Sequence, residues 1–135
     1  MSDFPVTIFH NPNCGTSRNT LGLIRAAGYE PEVVEYVKAG WTATQLKALF
    51  QRIGASARDL MRVQGTPAEE LGLVDDDVSD EAIIEAMTEH PILVQRPIVS
   101  TPKGAVLARP FDKALEVLEK KPARFIKESG EVIDF

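Results

Sequence analysis

Residues 6–10, Val-Thr-Ile-Phe-His, are β-branched or aromatic at nearly every position and stop at an Asn11-Pro12 turn, as a short strand does. Helical spacing of Leu21, Ile24 and Leu23 predicts a helix from about Ser17 to Ala27, with Gly28 as its stop. Glu32 to Tyr36, "EVVEY", then reads as a second strand. Strand, helix and strand in so short a passage imply a parallel βαβ unit with a right-handed crossover. Whatever follows must extend that unit or cover it.

From Thr42 to about His90 the pattern is helical. Thr42 and Gln45 have capping-box spacing ahead of "LKALFQRI". Thr66, Pro67 and Glu69 repeat the device, and Ser79 precedes "DEAIIEAMTEH". Gly54, Gly65 and Gly72 mark breaks, and "VDDDVSD" is expected to be a solvated loop. Residues 92–111 return to strand character on either side of Thr101-Pro102-Lys103-Gly104, which predicts a hairpin. A helix "FDKALEVLEKK" from Phe111 closes the core, and residues 122–135 read as a loosely attached tail. The expected class is α/β, a single domain over 1–135 with a helical insertion at about 42–91.

A chain of 135 residues with 44% apolar content has enough material for one core without disulfides. Met1 to Pro5 are too short and polar for a signal peptide, and no apolar run approaches the roughly 20 residues that span a bilayer. A cytoplasmic protein without membrane association is expected. Net charge is -5 and the basic residues are interspersed with acids, so the positive footprint of a nucleic-acid binder is missing. One Cys and two His do not make up the four ligands of a structural zinc site, and no metal is expected.

The one cysteine, Cys14, falls between a strand end and a helix start. There the first N–H groups have no partner within the helix and the helix dipole is positive, which favours anions. A thiolate is an anion, so its pKa should fall. Buried cysteines often serve as small hydrophobes, but Asn13 and Gly15 make a polar turn of this one. Gly15 lets a ligand approach the backbone, Thr16 and Ser17 add hydroxyls, and His10 stands where it could stabilise the thiolate or move a proton. A phosphatase-type loop does not fit, because Thr20 occupies the place of its closing arginine.

"HNPNCGTSRNTL", "RDLMR", "ELGL", "HPILVQRPIV" and "ARPF", in that order from about Val6 to Leu118, strongly resemble the glutaredoxin-coupled arsenate reductase family. The resemblance implies a thioredoxin-like fold with a helical insertion. It implies Cys14 as nucleophile, Arg62, Arg96 and Arg109 as a basic triad around the oxyanion, and Pro97 as a cis-proline, with His10 assisting the thiolate. Gly15, Thr16 and Ser17, from their place at the helix start, are read as substrate-binding. Taken singly, each arginine is better explained by an exposed ion pair. Together they suit an anion with several oxygens. Arg18 and Arg25 are read as ordinary helix-face residues.

The implied substrate is arsenate, with no bound cofactor. A lone cysteine has no second protein thiol to resolve its arsenic adduct, so the electrons must come from outside. The resemblance names glutathione and glutaredoxin as suppliers. Relays through several cysteines are excluded by the count of one. One competing reading is a glutathione-dependent thiol oxidoreductase of the same fold, which needs the cysteine but not three arginines. Another is an RNA-polymerase-binding regulator, whose redox-sensing relatives carry Cys-x-x-Cys where this chain has Cys14 and Ser17.

Overall fold

In the computed structural model, which describes residues 4–135, strand β1 (Thr7–His10) pairs parallel with β2 (Glu32–Glu35), Ile8 opposite Val33. Met1–Asp3, part of the N-terminal reading, lie outside the described residues. Helix α1 (Gly15–Ala26) connects the two strands and begins earlier than Ser17. Cys14 has an extended backbone and is itself the N-cap, its carbonyl accepting the Arg18 N–H at 3.0 Å. Gly28, at φ +100, takes the chain out of the helix in a conformation that a side chain would oppose.

By contacts, the chain divides into two compact units, one comprising the residues up to Glu35 with Arg96–Phe135, the other Tyr36–Gln95. In the first, β3 (Ile98–Thr101) runs antiparallel to β1 with Val99 opposite Ile8, and β4 (Gly104–Leu107) pairs antiparallel with β3, giving the order β2-β1-β3-β4. Ile8 and Val99 meet Ile24 of α1 and Ala114, Val117 and Leu118 in one buried cluster. The sequence places these apolar residues at every second strand position and on one stripe of α1, so a single layer of side chains seals helix to sheet.

Two expectations for this unit are corrected. Phe111–Val117 is a 3-10 helix that stops well short of Lys121. The Thr101 hydroxyl donates to the Val117 carbonyl at 2.6 Å, and the Tyr29 hydroxyl oxygen accepts the N–H groups of Glu119 and Lys120 at 3.0 and 2.9 Å. Those bonds take the backbone groups that further helical turns would need. Nor is the C-terminal segment loosely attached. Strands β5 (Arg124–Ile126) and β6 (Val132–Asp134) form a hairpin, whose Phe125 ring stands 5.7 Å from that of Phe111 and packs over Gly22 of α1.

The second unit opens with the short helix α2 (Tyr36–Ala39), followed by α3 (Ala43–Ile53) and α4 (Asp80–Glu89). The Thr42–Gln45 capping box forms as read, and Ser79 caps α4 by accepting the Ala82 N–H at 3.1 Å. The helix expected at Pro67 is instead a series of turns. Gly65 and Gly72 both have positive φ, which leaves too short a stretch between them to propagate a helix. The Thr66 hydroxyl accepts from Ala68 rather than from Glu69, so no capping box closes. Met61 bridges Val94, where a wholly helical block was expected. Among the described residues, no helix is long and apolar enough to cross a membrane.

Candidate active site around Cys14

The Asn11–Cys14 loop is held by short-range bonds that its own sequence supplies. Asn11 Oδ1 accepts the Asn13 N–H at 2.9 Å, the Cys14 N–H donates to the Asn11 carbonyl at 3.0 Å, and the Asn11 N–H donates to the Ser17 hydroxyl oxygen at 3.3 Å. Ser17 is fully buried, so its hydroxyl closes the loop and its N–H is left for the thiol. The Thr20 hydroxyl donates back to the Thr16 carbonyl within α1. Among the described residues no side-chain hydrogen bond caps the N-terminus of α1, which leaves its first N–H groups to an anion such as the Cys14 thiolate.

Cys14 is half-buried. Burial alone pushes its thiol up, but the Ser17 N–H, the Arg96 charge, the Thr16 N–H and the Arg109 side chain outweigh it and hold the pKa below the ordinary thiol value. Arg109 Nη1 lies 3.9 Å from Sγ and donates to the Arg96 carbonyl at 3.2 Å. Both arginines precede prolines, and the Arg96–Pro97 and Arg109–Pro110 peptides are both cis. The first agrees with the resemblance; the second was not anticipated. A thiolate with two guanidiniums beside a helix N-terminus is an arrangement for nucleophilic attack on an oxyanion.

Other candidates take different places. Among the described residues, apart from its chain neighbours and the backbone of α1, a Cβ at Gly15 would meet Arg18 Nη2 at 3.7 Å. His10 is buried at the end of β1 opposite Glu35, and among the described residues its Nδ1 has no hydrogen-bond partner. Burial is the main cause that holds its pKa below the ordinary histidine value. Glu35 opposes that shift, and Arg18 and Arg25 add to it. The imidazole therefore favours its neutral form, and it is not among the groups that shift Cys14. Arg62 belongs to the second unit, where its N–H donates to the Leu93 carbonyl at 2.7 Å and its Nε to the Gln64 carbonyl at 2.9 Å.

Sequence reasoning missed the surroundings of Arg18. Its Nη1 donates to the Pro12 carbonyl at 2.8 Å, and its Nε faces both carboxylate oxygens of Glu128, at 3.1 and 2.9 Å. The helical position of Arg18 could be read; a partner more than a hundred residues away could not.

The ArsC family profile matches residues 9–117. Arsenate reductase ArsI1 of Synechocystis sp. is 51% identical over 134 residues, covering 98% of this chain and 93% of that protein. The arsenate reductase of Escherichia coli is 46% identical over 129 residues, covering 95% and 92%. Among solved structures, the arsenate reductase from Vibrio cholerae superposes with a TM-score of 0.83 at 39% identity, covering 87% of this chain and 100% of that one. The expected thioredoxin-like fold stands with these matches. On the profile match and these relatives, the chain belongs to the ArsC family.

Proposed function

We propose that this protein is an arsenate reductase, in which the Cys14 thiolate attacks As(V). The observation that carries the reading is the placement of Arg109 Nη1 3.9 Å from Cys14 Sγ in a chain of this family. Arsenate and a thiolate repel one another, and the guanidiniums with the N-terminus of α1 offset that repulsion as the anion binds. Sulfur displaces one oxygen, which leaves as water, to give a Cys14–S–As(V) ester. Gly15, Thr16 and Ser17 supply N–H groups to the remaining oxygens, and Arg96 and Arg109 neutralise their charge, a role that the family resemblance extends to Arg62. His10, kept in its neutral form by burial at the end of β1, assists the thiolate by moving a proton and not through charge.

The electron pair comes from external thiols. Glutathione adds its sulfur to the arsenic with loss of a second oxygen as water. A glutaredoxin thiolate then attacks that sulfur, so that a mixed disulfide forms and the As–S bonding pair stays on arsenic, now As(III). Water displaces Cys14 and arsenite leaves. No bound cofactor takes part, and the need for glutathione puts the protein in the cytoplasm.

The test is oxidation of NADPH by the purified protein supplied with arsenate, glutathione, glutaredoxin and glutathione reductase, beside Cys14→Ser. Arsenate-dependent turnover that vanishes in the variant is expected. Equal turnover in both, or arsenate-independent thiol exchange alone, would sink the reading.

A further inference from the structure

The C-terminal hairpin reaches the nucleophile's loop through one residue. Arg18 sits on the first turn of α1 with its guanidinium shared between two elements: Nε toward both oxygens of Glu128 in the β5–β6 turn, and Nη1 on the Pro12 carbonyl, two residues before Cys14. The Glu128 N–H in turn donates to Asn19 Oδ1 at 3.0 Å, so the hairpin is fastened to α1 by backbone as well as by charge. Behind this contact Phe125 packs over Gly22 and against Phe111, and Lys127 lies over the Phe111 ring at 5.3 Å. The Arg18 and Glu128 side chains are 43% and 51% exposed, so their pair adds little to stability. Its effect is geometric. A guanidinium has donors in a fixed fork and can hold a carboxylate and a carbonyl at once, as an ammonium on a flexible stem cannot do in the same geometry.

We propose that Arg18 is a positioning residue for Cys14, and that Glu128 on the C-terminal hairpin holds it in place, so that the hairpin sets the Asn11–Cys14 loop from outside. The proposal deepens the reading of Cys14 as nucleophile. Pro12 lacks an N–H, so its carbonyl is the handle by which that residue's backbone can be gripped. Fixing it orients the Asn13–Cys14 peptide, and with it the direction in which Sγ leaves the backbone toward Arg109 and the first N–H groups of α1. The N–H groups of Ser17 and Thr16 with Arg96 and Arg109 hold the Cys14 pKa down, and Arg109 Nη1 is 3.9 Å from Sγ. Glu128 is foremost in stabilising the Arg18 cation, and the Cys14 thiolate adds to it. Loosening the clamp moves Sγ out of register with its donors.

The experiment is alkylation of Cys14 by iodoacetamide in the full-length chain, followed from acidic to alkaline pH for wild type, Arg18→Gln, Arg18→Lys and Glu128→Gln, with thermal midpoints measured alongside. Arsenate is not used, so failure here is distinct from failure of the reductase reading. With unchanged midpoints, all three variants should titrate at higher pH and react several-fold more slowly at neutral pH. The two conservative variants separate position from charge. If Arg18 acted only by its positive charge, Arg18→Lys would match wild type, and Glu128→Gln, which removes a nearby negative charge, would react as fast or faster. Either result overturns the proposal. Should the Arg18 variants not fold, Glu128→Gln alone decides, because it alters one exposed side chain without changing its size.

Discussion

Arg109 Nη1 approaches Cys14 Sγ to 3.9 Å while its donation to the Arg96 carbonyl at 3.2 Å fixes where the guanidinium can be. The cation is therefore placed before the thiol ionises, and little reorganisation is left for the attack itself. Arg109→Lys keeps a charge but cannot make both contacts from one planar group. Both Arg109→Lys and Arg109→Ala should lower kcat/KM for arsenate by about 10²–10³-fold, the usual loss for one preorganised donor. Thiol alkylation at neutral pH should slow in Arg109→Ala more than in Arg109→Lys. Steady-state kinetics beside alkylation rates check this, and a fully active Arg109→Lys would deny the guanidinium its special place.

His10 makes acid stability a readout of the site. Burial, opposed by Glu35 and aided by Arg18 and Arg25, lowers its folded pKa. The unfolded residue takes up its proton near about pH 6.5, so below that pH the unfolded state binds more protons than the folded one. The stability due to neutral His10 is thus present above about pH 6.5 and is lost as pH falls through the folded value. Urea midpoints should drop more steeply for wild type than for His10→Gln as pH goes from neutral to mildly acidic. Parallel profiles would show that His10 titrates in the folded state as it does in the unfolded chain.

For Arg62 the expected signature is kinetic. The groups that lower the Cys14 pKa are Ser17, Arg96, Thr16 and Arg109. If Arg62 serves the oxyanion as the family resemblance implies, Arg62→Ala should raise KM for arsenate by about tenfold or more, as expected for loss of a charged partner. The alkylation profile of Cys14 should stay unchanged. A shift in that profile would instead make Arg62 part of the thiolate's own surroundings.

What could be read from residues alone follows the range of the interactions. The βαβ unit, the Thr42–Gln45 box, the Ser79 cap and the hairpin at Pro102–Lys103 depend on neighbours a few positions apart, and all of them formed. Cys14 was legible because strand end, Gly15 and helix start are contiguous. The failures come from tertiary partners. Tyr29 takes the N–H groups of Glu119 and Lys120, which no periodicity in "FDKALEVLEKK" reveals. Arg18 looked like any helix-face cation until Glu128 came beside it. At Pro67 the capping pattern was real in sequence, yet the positive φ of Gly65 and Gly72 confined it to turns.

Gly22 sits inside α1, where glycine weakens a helix, and the hairpin explains it. A Cβ at Gly22 would come within 3.2–3.3 Å of two Phe125 ring atoms, so the missing side chain is what lets the ring rest on the helix. On an exposed helix face Gly→Ala stabilises by about 1 kcal/mol. Here the ring must shift, and the gain should be cancelled or reversed. Phe125→Ala alone should cost about 1–2 kcal/mol, since the ring is half-buried. In that background the clash is gone, and Gly22→Ala should recover the ordinary gain of about 1 kcal/mol. Urea unfolding of the four proteins forms a double-mutant cycle whose coupling energy reports the contact. Zero coupling would mean that the hairpin does not bear on α1, and the clamp from Glu128 to Arg18 would lose its support.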